Sequence, residues 1–329
     1  MESQITKSAF VPAPWLRNRH LQTLLPIIPG INGPRPPLVH EALELPDGDI
    51  TSVDWLTNNQ DDNEQPLLVI LHGLEGSASS PYCRHLLRAA SARGWNAAVL
   101  HFRDCGDFRN RLPRRYHAGE TEDLRYFLDL LRRRGYSGPL LGAGYSLGAN
   151  VLLKYLGEAG GSSPLLAATA VSAPLNLHVS AATLQVGFAR IYQSYLLKRA
   201  KRSVFRKFNA HTAPFNWTRA VKARTFAEFD DAVTAPLHGF AGKDDYYDRC
   251  SADRFLHRIE KPTLLINALD DPFMSPEAIP KADQLGKHVT LEVSERGGHV
   301  AFIAGGTPWR PRYFLPDRIV NFFDSIIVG

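Results

Sequence analysis

Between residues 67 and 171 the chain alternates short, unbroken apolar runs with stretches that are apolar at helical spacing. Leu67-Leu68-Val69-Ile70-Leu71 is apolar throughout, as expected of a strand buried on both faces of a parallel sheet. Ser80-Pro81 then opens a helix and Gly94 closes it, followed by a strand over 96–102. A second helix over about 120–134 places Leu124, Phe127, Leu128 and Leu131 on one face. Its end carries Arg132, Arg133 and Arg134, where cations oppose the negative end of the helix dipole. Another apolar run at 140–145 leads into a helix through Leu152, Leu153, Tyr155 and Leu156, and a further strand follows over 165–171. Upstream, alternating segments at 41–45 and 50–55 flank Pro46-Asp47-Gly48-Asp49, which reads as an antiparallel hairpin.

The alternation stops at about Pro174 and resumes at Thr263 to Ala268 and His288 to Val293. A terminal amphipathic helix then presents Ile319, Val320, Phe322, Phe323, Ile326 and Ile327. Strand–helix alternation of this kind implies an α/β fold with a mostly parallel, doubly wound sheet. The expected organisation is an arm at 1–40, rich in proline and aromatic residues, and a core at 41–173 and 260–329. A helical, aromatic cap is inserted at 174–259, and a polar linker is expected over 57–65. Within the cap a basic run spans Lys198 to Lys207. Its default reading is a solvated helix face, and its alternative is peripheral contact with phospholipid headgroups.

Composition narrows the class further. A chain of 329 residues with 44% hydrophobic and 22% charged positions can bury one large core. The formal charge of +5 comes without any nucleic-acid-binding motif, so no nucleic-acid partner is expected. Cys83, Cys105 and Cys250 are dispersed and odd in number, which fits a reducing compartment better than a disulfide framework or a zinc site. Met1-Glu2-Ser3-Gln4 does not begin a secretory leader, and apolar runs such as 24–31 are broken by Pro26 and Pro29. Cytoplasm is the expected location.

Chemistry concentrates in the loops that follow the strands, where open parallel sheets bind ligands. After 140–145 comes Gly144-Tyr145-Ser146-Leu147-Gly148, the Gly-x-Ser-x-Gly pattern of a nucleophile elbow. Alone it is weak, since roughly one chain in ten of this length would show it by chance. The other loops supply what a serine nucleophile needs. His72-Gly73-Leu74-Glu75-Gly76 follows 67–71, Asp270-Asp271-Pro272-Phe273 follows 263–268, and Gly297-Gly298-His299 follows 288–293.

The order Ser, Asp, His supports roles for each residue. Ser146 is the candidate nucleophile and His299 its general base. Asp271 is the candidate carboxylate behind the imidazole, because Ala268-x-x-Asp271 has the spacing of the usual turn after this strand, with Asp270 in reserve. The N–H groups of Leu74 and Leu147 are the expected oxyanion donors. Gly297 and Gly298 are expected to let the His299 loop reach over the sheet edge. His72 is read as supporting its loop; His20, His101 and His117 lack metal-ligand spacing and are read as packed or solvated. The third glycine of a dinucleotide fingerprint is misplaced after Gly142 and Gly144, so neither metal nor cofactor is expected.

These motifs, with His20-Leu21-Gln22-Thr23, His101-Phe102-Arg103 and Gly119-Glu120-Thr121-Glu122-Asp123, resemble the α/β-hydrolase superfamily along nearly the whole chain. More narrowly, the chain resembles the YheT-like hydrolases related to ABHD1/ABHD3-type proteins. The resemblance implies a Ser146–Asp271–His299 triad and hydrolysis of short-chain or lipid-like carboxylic esters. Phospholipid deacylation or acyl transfer is the alternative within that class, and a non-catalytic hydrolase-like binding protein the alternative outside it.

Overall fold

In the computed structural model, residues 4–57, 63–106 and 108–328 are described. The expectations for residues 1–3 and for the centre of the polar linker, 58–62, lie outside the described residues. The strands are β1 (Ile5–Lys7), β2 (Val39–Glu44), β3 (Ile50–Leu56), β4 (Leu67–Leu71), β5 (Asn96–Leu100), β6 (Leu140–Tyr145), β7 (Leu165–Val171), β8 (Thr263–Ala268), β9 (Val289–Ser294), β10 (Ile303–Thr307) and β11 (Arg310–Tyr313). Nine of them form one sheet in the order β1-β9-β8-β7-β6-β4-β5-β3-β2, and β10 and β11 pair as a separate hairpin. Only the β2–β3 and β3–β5 pairings of the large sheet are antiparallel.

The helices are α1 (Arg19–Leu24), α2 (Pro81–Ala92), α3 (Glu122–Arg133), α4 (Leu147–Ala159), α5 (Leu177–Thr183), α6 (Ala189–Lys207), α7 (Trp217–Lys222), α8 (Phe226–Phe229), α9 (Ala235–Leu237), α10 (Lys243–Cys250) and α11 (Leu315–Ile327). Leu67, Val69 and Leu71 of β4 pack with the apolar sides of α3 and α4, whereas Leu68 and Ile70 pack with α2 and α11. Helices therefore cover both faces, which is why β4 is apolar at every position. Each such fully buried side chain contributes roughly 1.5–3 kcal/mol.

Chain direction across the sheet sets the position of a crevice. From β4 the chain crosses to β5 on one side, then returns through α3 to β6 on the other side of β4. The carboxyl ends of β4 and β6 thus flank a topological switch point, where loops diverge and leave room for a ligand.

Two features depart from the sequence reading. The amino-terminal segment is more than an arm, because β1 extends the sheet by pairing in parallel with β9. Phe10 is buried against Phe302 and Phe314. Three residues are too few to show a strand period, and Pro12 and Pro14 downstream obscure the signal further. The β10–β11 hairpin between His299 and α11 was likewise not expected, since Gly305, Gly306 and Pro311 interrupt any alternation. Ser80 does precede α2, but its Oγ accepts from the Ser77 N–H instead of capping the helix.

Between β7 and β8 lie α5 to α10 and a π-helical turn, Asp230–Thr234. Aromatic residues such as Phe205, Trp217 and Phe229 join a small apolar cluster there. No helix among the described residues is long and apolar enough to cross a membrane.

Candidate active site

Ser146 sits between β6 and α4 with φ 52° and ψ −120°, a left-handed conformation that costs a non-glycine residue of order 1–3 kcal/mol. Its flanking glycines are required by close approach. A Cβ on Gly144 would lie 2.6 Å from Ala149 Cα, and one on Gly148 would lie 2.5 Å from the carbonyl oxygens of Leu71 and His72. Both distances are far inside contact, so glycine at 144 lets α4 turn back close to β6, and glycine at 148 lets the elbow pack against the end of β4.

Three loops then meet. Ser146 Oγ is 2.9 Å from His299 Nε2, and His299 Nδ1 is 2.8 Å from Asp271 Oδ2. Asp271 is held from its other side, because Oδ1 accepts the backbone N–H of Phe273 at 2.8 Å. The Phe273 ring stacks on the His299 imidazole with centroids 4.1 Å apart. Asp271 and His299 are buried, which strengthens their mutual attraction relative to water.

Asp270 faces elsewhere. Its Oδ1 accepts the Gly298 N–H at 3.0 Å, which ties the β8 loop to the turn that carries His299. Burial, and then the charge of Asp271, raises its pKa, partly offset by the Gly298 bond. Gly298 adopts φ +63°, as a reaching loop needs; Gly297 is small for another reason, since a Cβ there would meet Phe302 at 2.7 Å.

The turn after β4 is nearly saturated with hydrogen bonds. Gly73 N–H donates to Tyr82 Oη, Glu75 N–H to Tyr116 Oη, and Gly76 N–H to the Gly73 carbonyl. Leu74 is the residue of this turn whose N–H has no acceptor among the described residues. Leu147 opens α4, and first-turn N–H groups have no intrahelical acceptor. His72 is structural: buried, it accepts the Phe102 N–H at Nε2 and turns Nδ1–H to the Gly73 carbonyl. Burial holds its pKa down to about 3, so it stays neutral.

His20, His101 and His117 each have a partner. His101 Nε2 lies 3.1 Å from Asp54, His117 packs against His238 and Tyr246, and His20 Nδ1 lies 3.1 Å from Tyr192 Oη. Among the described residues no cluster of histidine, cysteine, aspartate or glutamate could hold a metal ion.

Ser146 and His299 open on a cavity of about 150 Å³ whose lining is mostly apolar, including Leu74, Leu147, Leu177, Phe229 and Phe273. Residues beyond the sequence reading also shape the site. Besides Phe273, Thr23 Oγ1 accepts the His299 N–H at 3.0 Å, and Glu75 pairs with Arg115 behind the turn. No local pattern announces these contacts; the order of strand-end loops shows only which loops meet.

A doubly wound sheet carrying serine, histidine and aspartate on the loops at its carboxyl edge defines the α/β hydrolase class. The chain belongs to the alpha/beta hydrolase fold family, whose model matches residues 66–305. It is 43% identical to YheT of Escherichia coli strain K12, over 98% of this chain and 95% of that one. It is 29% identical to Phospholipase ABHD3 of Mus musculus, over 98% of this chain and 80% of that protein. The Pyrococcus furiosus esterase Pf2001 superposes with a TM-score of 0.56 at 16% identity, covering 98% of this chain and 100% of that one. Est1E from Butyrivibrio proteoclasticus, solved with ferulic acid, gives 0.56 at 12% identity, covering 88% and 100%. At such low identity these two likenesses are of fold alone.

Proposed function

We propose that the protein is a serine hydrolase that cleaves carboxylic esters through an acyl-Ser146 intermediate. The observation that carries this reading is the unbroken hydrogen-bonded chain from Ser146 through His299 to Asp271 at the mouth of an apolar cavity. Residues 174–259 are read as a cap over a core formed by 41–173 and 260–329, with 1–40 bracing its edge.

In this mechanism His299 Nε2 removes the Ser146 proton as Oγ attacks the ester carbonyl carbon. The carbonyl electron pair moves onto oxygen, where the N–H groups of Leu74 and Leu147 receive the developing charge. Collapse of this tetrahedral species expels the alcohol, which leaves with the proton from His299. Water then attacks the acyl-enzyme by the same route, and the carboxylic acid departs. Asp271 keeps the Nδ1–H of His299 directed inward and stabilises the imidazolium.

A cavity of about 150 Å³ admits a group of benzene size, which favours short acyl chains. A second reading, phospholipid deacylation, is supported by the similarity to a relative named as a phospholipase. A fluorophosphonate probe tests the central claim: wild type is expected to be labelled and Ser146→Ala to remain unlabelled. Equal labelling of the two would remove Ser146 from the nucleophile position.

A further inference from the structure

Behind the turn after β4, on the far side of Glu75 from Ser146, lies a second cavity of about 370 Å³ with a polar wall. Arg35, Arg199 and Arg206 line it together with Ser77 and Ser79. A smaller adjoining cavity, which shares Arg35 and Ser79, extends it to Arg84. Four guanidinium groups thus gather from three separate segments: the stretch before β2, the start of α2, and α6.

None of the four is ion-paired among the described residues. Arg84 donates to the Gly33 carbonyl, and Arg199 donates to the Glu75 carbonyl at 2.6 Å. The carboxylates on the wall are already engaged elsewhere. Asp54 is held between His40 and His101, at 2.5 and 3.1 Å. Glu75 pairs with Arg115, and Asp104 pairs with Arg115 and with Lys207. Ser77 Oγ accepts the Ser79 N–H, which leaves the Ser77 hydroxyl proton free to donate.

Like charges brought together repel, and burial and the Arg35 charge both weaken Arg84's hold on its proton. A concave polar surface with several unpaired guanidinium groups is relieved by one compact multivalent anion. The guanidinium fork matches two oxygens of a phosphate or sulfate at a time.

We infer that this arginine-lined cleft is a binding site for a phosphate-class oxyanion, either free or carried by an ester substrate. Glu75 lines both this cleft and the apolar cavity that holds Ser146 and His299. An ester whose acyl group enters the apolar cavity can therefore direct an anionic alcohol portion across Glu75 into the cleft. That substrate role rests on the esterase reading, whereas the anion site itself does not.

The test uses the full chain and inorganic phosphate as the probe. Thermal unfolding is followed while phosphate replaces sodium chloride at constant ionic strength. The wild type is expected to gain Tm saturably with phosphate. Arg35→Ala/Arg206→Ala is expected to need at least tenfold more phosphate for the same gain. Both side chains are exposed and unpaired, so the variant should fold, and Arg206→Glu alone supplies a second disruption. Absence of a phosphate response in the wild type, or an identical response in both variants, overturns the inference.

A second arm compares a short-chain diacylglycerol phosphate with the uncharged diacylglycerol, both below their micelle concentrations. A tenfold preference in kcat/KM that disappears in the double variant assigns the anion to the substrate. Equal rates, with phosphate binding intact, assign the site to a free anion. Phosphate binding without any ester turnover would leave the site standing and remove the esterase reading alone.

Discussion

Thr23 Oγ1 accepts the backbone N–H of His299 at 3.0 Å across 276 positions of sequence, and donates in turn to the Arg19 carbonyl. The amino-terminal segment thereby fixes the loop that carries the candidate base. Gln22 acts beside it, accepting the Ile303 N–H and donating to the Ile303 and Leu16 carbonyls.

Thr23→Val keeps the shape of the side chain and removes its oxygen. A lost hydrogen bond of about 1 kcal/mol, expressed in the position of His299, corresponds to roughly a fivefold to tenfold loss of kcat. KM should change little, because Thr23 is not part of the cavity lining, and Thr23→Ser should restore the rate. Steady-state kinetics on a p-nitrophenyl ester checks this; an unchanged kcat in Thr23→Val would show that His299 holds its position without the arm.

The two adjacent aspartates should separate cleanly. Asp271→Asn has one oxygen where two now accept, from the His299 Nδ1–H and the Phe273 N–H, and no charge to favour the imidazolium, so kcat should fall on the order of 10⁴-fold. Asp270→Asn retains an oxygen for the Gly298 N–H and should lose less than about tenfold in kcat. Single-turnover rates distinguish the two, and the reverse ranking would make Asp270 the residue behind His299.

The legibility of this site in the sequence was uneven for physical reasons. β4, β6 and β8 are buried at every position, so their apolar runs and the loops after them stand out, and the order Ser146, Asp271, His299 is legible in the chain itself. Thr23 and Phe273 act through single contacts across long sequence separations, which no local period encodes. The distinction between Asp270 and Asp271 turns on one residue of strand ending: the chain turns at Ala268, whose carbonyl accepts the Asp271 N–H. β1 escaped notice because its three residues take their order from β9 rather than from their own pattern.

Arg103 illustrates a motif whose role is structural. Its guanidinium is buried and bonds Asp123 twice, with Asp47 and Asp49 of the β2–β3 turn on its remaining edge. Burial alone would weaken its hold on its proton, but the hydrogen bonds and charges of Asp123 and Asp47 more than reverse that. Arg103→Met leaves Asp49 and Asp123 without their ion-pair partner and Asp47 with only the more distant Arg114, and should destabilise the fold by about 3–5 kcal/mol. Urea unfolding measures this; a loss under about 1 kcal/mol would mean the hairpin is anchored by apolar contacts alone.

Asp230 faces the apolar cavity from the π-helical turn, accepting Thr234 Oγ1–H and Tyr247 Oη–H at 2.7 Å each. Burial raises its pKa from 3.8 to about 6, while the two hydrogen bonds oppose the rise. A carboxyl whose pKa is raised on folding favours the folded state fully below its unfolded pKa. That contribution is lost as pH climbs through the folded value. The wild type should therefore lose stability between about pH 4 and pH 7 through this group, by on the order of 1–3 kcal/mol. Asp230→Asn cannot ionise and should escape that loss. Its Tm relative to wild type should rise steadily across the same interval and level off above it. Thermal unfolding of both proteins across the range decides the matter: a constant difference in Tm would mean that Asp230 titrates at its ordinary value and that water reaches it through the cavity.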